Sequence, residues 1–378
     1  MKRLLVIACT LFTLGTAAQT VTISKNIRKA MNGIDTNIIR SNIAWLADDK
    51  LKGRLPGTEG YQMAVDYVVD QYKKIGLAPG GDNGTFLQNL IIRRSVLVNS
   101  SANALLTDNS GNVDTLEFLK DFTPVPHPLK ESANAKGQLV FAGYGIEIPG
   151  GYSDYKNIDP KGKILVIVAG APDGLHSTLT AHLSNSGNKV NTAYKKGAVG
   201  VMLINLNPRP GSNTNSAIQM NVAMNPQKTE AYGRGFTGNL AVAINSNKAI
   251  LSRLFLQSGK KLETILANIK QGRPSSFELS LHLTVNYNTT HKDFESQNVV
   301  AFIPGTDKVL KNEYVVHSAH LDHVGIGRVV NGDSIYNGAH DNASGVASLL
   351  EIARIYKNSD AKPKRSILIV MVTGEEMG

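Results

Sequence analysis

The sequence predicts an α/β protein with a β-rich middle, and three observations carry that expectation. Apolar strand-like runs at 297–304, 313–319 and 366–373 frame a helical stripe at 346–357. Strand, helix and strand in that order form a parallel crossover unit. The intervening stretch 95–283 holds short strands separated by turn residues.

The elements follow in chain order. Residues 1–18 begin with Lys2-Arg3, continue as an apolar run from Leu4 to Leu14 and end at Thr16-Ala17-Ala18 before Gln19. This is the pattern of a signal peptide with a small-residue cleavage site. The run is too short to span a membrane. Val6-Ile7-Ala8-Cys9 loosely resembles a lipoprotein cleavage box, with only five apolar residues before the cysteine. Cys9, the single cysteine of the sequence, would leave with the signal. A secreted or periplasmic chain without disulfides must then be held by core burial.

Residues 19–94 are expected to begin the main domain. Ile27 to Leu77 is helix-rich, and Met63, Ala64, Tyr67, Val68, Tyr72 and Ile75 mark one face before Gly76. Asp82-Asn83-Gly84-Thr85 is a turn, and strand-like alternation begins at Phe86. Residues 95–283 form the β-rich module, with strands at Gln138–Tyr144, Lys163–Ala169 and Val199–Ile204 and a helix at Val190–Lys196. Pro208–Gln219, rich in Asn, Ser and Gly, is expected as an exposed loop. Phe277, Leu279, Leu281, Leu283, Val285 and Tyr287 alternate with polar residues, the pattern of a half-buried strand. His282 lies on its polar face and is expected in solvent. Residues 284–378 return to the main domain. His317, inside the strand that leads to His320, is expected to be structural.

Five polar residues punctuate this last region. His320 is followed two residues later by Asp322, 19 residues on by Asp341, and 34 further by Glu375-Glu376. Imidazole nitrogen and carboxylate oxygen are ready zinc donors. Leu321 separates His320 from Asp322, so at an extended strand end both project to one side. Asp322 could then accept the second ring N–H of a ligating His320. Asp341 has two oxygens with which to bridge two ions. One residue of the Glu-Glu pair can ligate while the other takes a proton from an attacking water. The C-terminal ends of strands are where open α/β sheets place their sites.

The segments His320-Leu321-Asp322-His323, Gly338-Ala339-His340-Asp341-Asn342-Ala343-Ser344-Gly345 and Gly374-Glu375-Glu376-Met377-Gly378 resemble the secreted two-zinc exopeptidases. That group includes bacterial leucyl aminopeptidases, glutamate carboxypeptidase and the non-enzymatic transferrin receptor. The resemblance extends over 298–325 and to Asp48-Asp49-Lys50-Leu51-Lys52-Gly53-Arg54-Leu55-Pro56-Gly57-Thr58. It implies a mixed sheet sandwiched by helices and two zinc ions. His320 would ligate one ion, Asp341 would bridge both and Glu376 would ligate the other. Glu375 would be the general base and Asp322 the orienting partner of His320. Relatives often carry Asp at the position of His340, and they supply a further Asp and His downstream, so the chain is expected to be a fragment of the enzyme. The middle is similar to the protease-associated domain through Val140-Phe141-Ala142-Gly143-Tyr144-Gly145, Asp159-Pro160-Lys161-Gly162-Lys163-Ile164 and Lys196-Gly197-Ala198-Val199-Gly200-Val201.

The implied function is hydrolysis at a peptide terminus, with an aminopeptidase first and a carboxypeptidase left open. Peptides or proteins are the expected substrates. A non-catalytic receptor-like ectodomain on the same fold is the alternative. The formal charge of +10 falls to +8 without Lys2 and Arg3, and the charges are dispersed. That distribution argues against a nucleic-acid groove. No Gly-x-Ser-x-Gly elbow accompanies the candidate His and Asp, which argues against a serine hydrolase.

Overall fold

The computed structural model describes residues 23–207, 218–233, 240–360 and 362–378. The signal-like segment with Cys9, and residues 208–217 of the expected loop, lie outside the described residues.

Three helices come first: α1 (Lys25–Met31), α2 (Thr36–Leu46) and α3 (Glu59–Ile75). Asp35 caps α2 through the Asn37 N–H, and Thr58 caps α3 through the Tyr61 N–H. Gly76, at φ 79°, ends α3 in the left-handed conformation that glycine adopts freely. Trp45 stacks on Tyr67 at 3.8 Å between ring centroids, joining α2 to α3.

The chain then enters β1 (Ala78–Pro79) and the 22-residue strand β2 (Leu87–Asp108). The middle region follows with β3 (Val113–Thr115), β4 (Phe122–Pro124), β5 (Ser132–Phe141) and β6 (Ile164–Val168). Next are α4 (Ser177–Ser184), α5 (Ser186–Lys195), β7 (Gly200–Asn205), β8 (Gln219–Met224), β9 (Ala231–Tyr232) and β10 (Val242–Asn247). Helices α6 (Lys248–Phe255) and α7 (Leu262–Lys270) lead to β11 (Phe277–Ile303), a strand of 27 residues.

The described strands of this region form one mixed sheet in the order β4-β10-β7-β6-β5-β11-β2-β8-β9. Strand β6 is apolar throughout because both its faces are covered. Ile164, Val166 and Val168 join one core cluster, while Leu165 and Ile167 join another. Two buried charges brace this part. Asp154 accepts the N–H groups of Tyr144 and Ile146, and the Lys189 ammonium donates to the carbonyls of Tyr144 and Gly170.

Strand β11 alternates over its first half as its sequence demands, with Leu279, Leu281, Leu283, Val285 and Tyr287 buried. His282 is half-buried, pairing with Thr107 and Gln138 across the sheet. The strand then continues without a break through the polar stretch 288–298, paired antiparallel with β2 from Val299↔Leu87 to Leu281↔Asp108. The expected limits at 94/95 and 283/284 therefore fall inside β2 and β11.

The last region adds β12 (Tyr314–His320), the hairpin β13 (Ile326–Val330) and β14 (Asp333–Ile335), α8 (Ser344–Asn358) and β15 (Ser366–Val372). Strand β15 pairs antiparallel with β11 and parallel with β12, so the strand–helix–strand order produces the expected crossover. Val346, Leu349, Leu350 and Ala353 of α8 pack with α3 residues Tyr61, Ala64, Val68 and Tyr72 over Val299, Ala301, Ile369 and Met371. The fold is thus a mixed sheet flanked by helices. No helix among the described residues is long and apolar enough to cross a membrane.

Candidate metal centre

Parallel pairing of β12 and β15 sets His320 opposite Val372, so both strands end side by side. The Leu321 N–H donates to the Val372 carbonyl (2.8 Å) and holds the two ends together. Beyond β15, Gly374 turns the chain at φ 78° into Glu375-Glu376. Asp341 arrives from the irregular turn 339–343 that precedes α8, where its peptide bond to Asn342 is cis. Asn342 Oδ1 accepts the Gly345 N–H (3.0 Å) at the start of that helix.

Three of the five expected residues converge. One donor atom from each of His320, Asp341 and Glu376 lies within 4.8 Å of the others. His320 Nε2 is 2.9 Å from Asp341 Oδ1, with the His320 side chain 11% and the Asp341 side chain 63% exposed. The site is therefore walled on the histidine side and open on the Asp341 side.

The orientation of His320 differs from expectation. Its Nδ1–H donates to the backbone carbonyl of Asp322 at 3.1 Å, while the Asp322 carboxylate stands 3.9 Å from Nδ1. That carboxylate is fully buried and instead accepts the backbone N–H groups of Glu375 (3.3 Å) and Glu376 (3.1 Å). Asp322 thus fixes the Glu-Glu turn, and its main chain fixes the imidazole. Burial pushes the Asp322 carboxyl above the ordinary carboxylate range, and those N–H bonds pull it back.

The arrangement passes a simple test for a cation. A carbonyl only accepts, so Nδ1 carries a proton and Nε2 is the ring atom turned to the Asp341 carboxylate, at hydrogen-bond distance. Glu376 adds a second carboxylate, and the three donor atoms make an N, O, O set that suits zinc. Glu375 is exposed, with no cation partner among the described ion pairs. His340 is exposed and contributes only its carbonyl, to Ser344 Oγ. His317 lies apart, against Tyr356.

Two residues at the centre had no role assigned from the sequence. His323, the second histidine of His320-Leu321-Asp322-His323, donates from Nδ1 to Glu376 Oε1 (2.5 Å). Arg54 is 1% exposed and donates to the carbonyls of Leu46, Leu321, Asn337 and Gly338. Burial lowers its pKa to about 10, against the pull of Asp322 and Glu376.

The chain is similar over 93% of its length to an aminopeptidase from Aneurinibacillus sp. strain AM-1, at 19% identity, a TM-score of 0.46 and 65% coverage of that protein. It is similar to a zinc aminopeptidase from Bacillus subtilis (18% identity, TM-score 0.35, 91% of this chain and 63% of that one). A peptidase M28 precursor from Shewanella amazonensis matches at 20% identity and TM-score 0.36, over 93% of this chain and 66% of that one. The chain spans just under two thirds of the length of these structures. Residues 298–378, which contain every residue of the candidate centre except Arg54, match the model of Peptidase family M28.

Proposed function

We propose that this chain carries the metal-binding half of a zinc-dependent exopeptidase, an aminopeptidase first. The carrying observation is His320 Nε2 facing Asp341 Oδ1 at 2.9 Å, with Glu376 beside them. The peptidase family match over the same residues supports it.

His320, Asp341 and Glu376 would hold zinc, which when bound supplies Lewis-acid polarisation of a peptide carbonyl and acidifies a water molecule. The second oxygen of Asp341 can serve a second ion, whose remaining donors must come from outside this trio. Glu375 accepts a proton from the attacking water and delivers it to the leaving amine. Asp322 fixes the backbone of the two glutamates through their N–H groups. His323 fixes the Glu376 carboxylate through Oε1. The apolar run at Leu4–Leu14 supports export, and the β-rich middle is taken as a protease-associated module.

The test uses the full chain. It should bind zinc and release N-terminal residues from a peptide. Glu375→Gln should keep its zinc and lose about a hundredfold in turnover, as expected for a missing general base. Parent-like turnover in that variant refutes the role of Glu375. Zinc binding without turnover in the parent would favour the receptor-like alternative.

A further inference from the structure

Arg54 lies far from the candidate ligands in sequence, yet its guanidinium touches the backbone just after His320 and just before Asp341. Nε donates to the carbonyl of Leu321 (2.9 Å), the residue between His320 and Asp322. Nη1 donates to Asn337 (2.7 Å) and Nη2 to Gly338 (3.2 Å), just ahead of Asp341. The remaining bond, from Nη1 to the Leu46 carbonyl, ties the group to the end of α2. The main chain joins in. The Arg54 carbonyl accepts the His323 N–H (3.2 Å), and the Gly53 carbonyl accepts the Gly325 N–H (3.0 Å).

The local backbone is bent to deliver this side chain. Lys52, Gly53 and Arg54 have φ of 47°, 69° and 51° in succession. Two of the three are not glycine, and such conformations cost energy unless the surroundings over-determine them. A planar fork with five donors can address several carbonyls at fixed angles, and an ammonium cannot.

We infer that Arg54 is a positioning residue that sets the spacing of His320 against Asp341 by gripping the backbone behind both. The inference rests on the metal reading of that site. It also makes a prediction opposite in sign to simple electrostatics. A buried cation near a zinc site repels the ion, so charge alone predicts tighter zinc binding when Arg54 is neutralised. Positioning predicts weaker binding.

The experiment compares the full chain with Arg54→Lys, Arg54→Met and Gly338→Ala. The last keeps the Arg54 side chain but sets a Cβ 2.6 Å from the Asp341 carbonyl and 2.7 Å from both Arg54 Nη2 and His323 Cδ2, at a backbone φ of +63°, so it displaces the Asp341 turn directly and serves as the positive control for a misplaced ligand. Zinc affinity is read by competition with a chelating dye, with His320→Ala as the control that loses the ion. Amide hydrogen exchange of the zinc-free proteins is read at 319–325 and 337–345, with 132–168 as reference. Zinc should bind 10- to 100-fold more weakly in all three variants, the range typical of lost support behind a ligand. Exchange should accelerate about tenfold or more in the two ligand segments, beyond any change in the reference. Equal or tighter zinc binding in Arg54→Met overturns the inference while leaving the metal site intact. Acceleration spread evenly over the chain, or global unfolding, also overturns it, because Arg54 would then serve the fold at large. A parent that takes up no zinc but shows the local acceleration in its variants refutes the metal reading alone.

Discussion

Asp322→Asn is a demanding test of how the Glu-Glu turn is held. The side chain is fully buried, and each carboxylate oxygen accepts one backbone N–H, from Glu375 at 3.3 Å and Glu376 at 3.1 Å. An amide of the same shape offers one acceptor and sets its NH2 against the other N–H. The loss is one charge-assisted bond, about 1.5–3 kcal/mol, plus a stranded buried donor, about 1–3 kcal/mol. Removing a buried charge returns part of this, although Arg54 then loses a neighbouring counter-charge. A net local cost of about 2–4 kcal/mol follows, which is roughly a 30- to 700-fold rise in exchange rate. The assay is amide exchange at Glu375 and Glu376 in zinc-free protein, with β15 as the internal reference. Rates within about threefold of the parent would mean that the carboxylate does not hold the turn.

Two acid-range effects of opposite sign are expected in the middle region. Burial pushes the Asp154 carboxyl up to about 6. Its folded value lies above the unfolded one, so its stabilising contribution is whole below about pH 4 and is lost as pH rises through 6. That slope, worth about 3 kcal/mol over roughly two pH units, should vanish in Asp154→Asn, as read from urea midpoints. Asp293 behaves in reverse. The Arg93 fork, at 2.7 and 2.9 Å, holds its carboxyl well below the usual range, so its contribution is present above about pH 4 and fades on acidification. Asp293→Asn should be destabilising at pH 7 and less so at pH 3. In the main-domain core, Ile369→Ala, at a fully buried position, should cost about 2–5 kcal/mol in the same assay.

Much of the site was legible because its side chains end apolar runs. His320 closes β12, Glu375-Glu376 follow β15 and Asp341 precedes α8, each beside a run with clear periodicity. The hidden parts are those where local pattern carries no signal. Arg54 sits among Lys, Gly and Pro and looks like surface loop, because its burial comes from carbonyls some 270 residues later. The role of Asp322 was displaced by one atom class: the main-chain oxygen took the imidazole, leaving the carboxylate for the next turn. The second half of β11 lacked alternation, since 288–298 is mostly polar and its strand state is imposed by pairing with β2.

That paired ribbon has a consequence for how this protein can be cut and rejoined. Twenty-two and 27 residues at about 3.3 Å each give contour lengths of roughly 70 and 90 Å. Each strand crosses an expected limit of the middle region, so a cut at 94/95 or 283/284 would sever a paired strand. A deletion of one residue near Phe294 would slide the remainder of β11 by one place and turn inward-facing side chains outward. The irregularity between Asn286 and Asn288 is a place where such a slip can be absorbed. Chimaeras that exchange the middle region should therefore be joined in pairs, at matched positions on β2 and β11, such as Ser95 with His291. A junction placed on one strand alone would set the two halves of the sheet in conflicting registers.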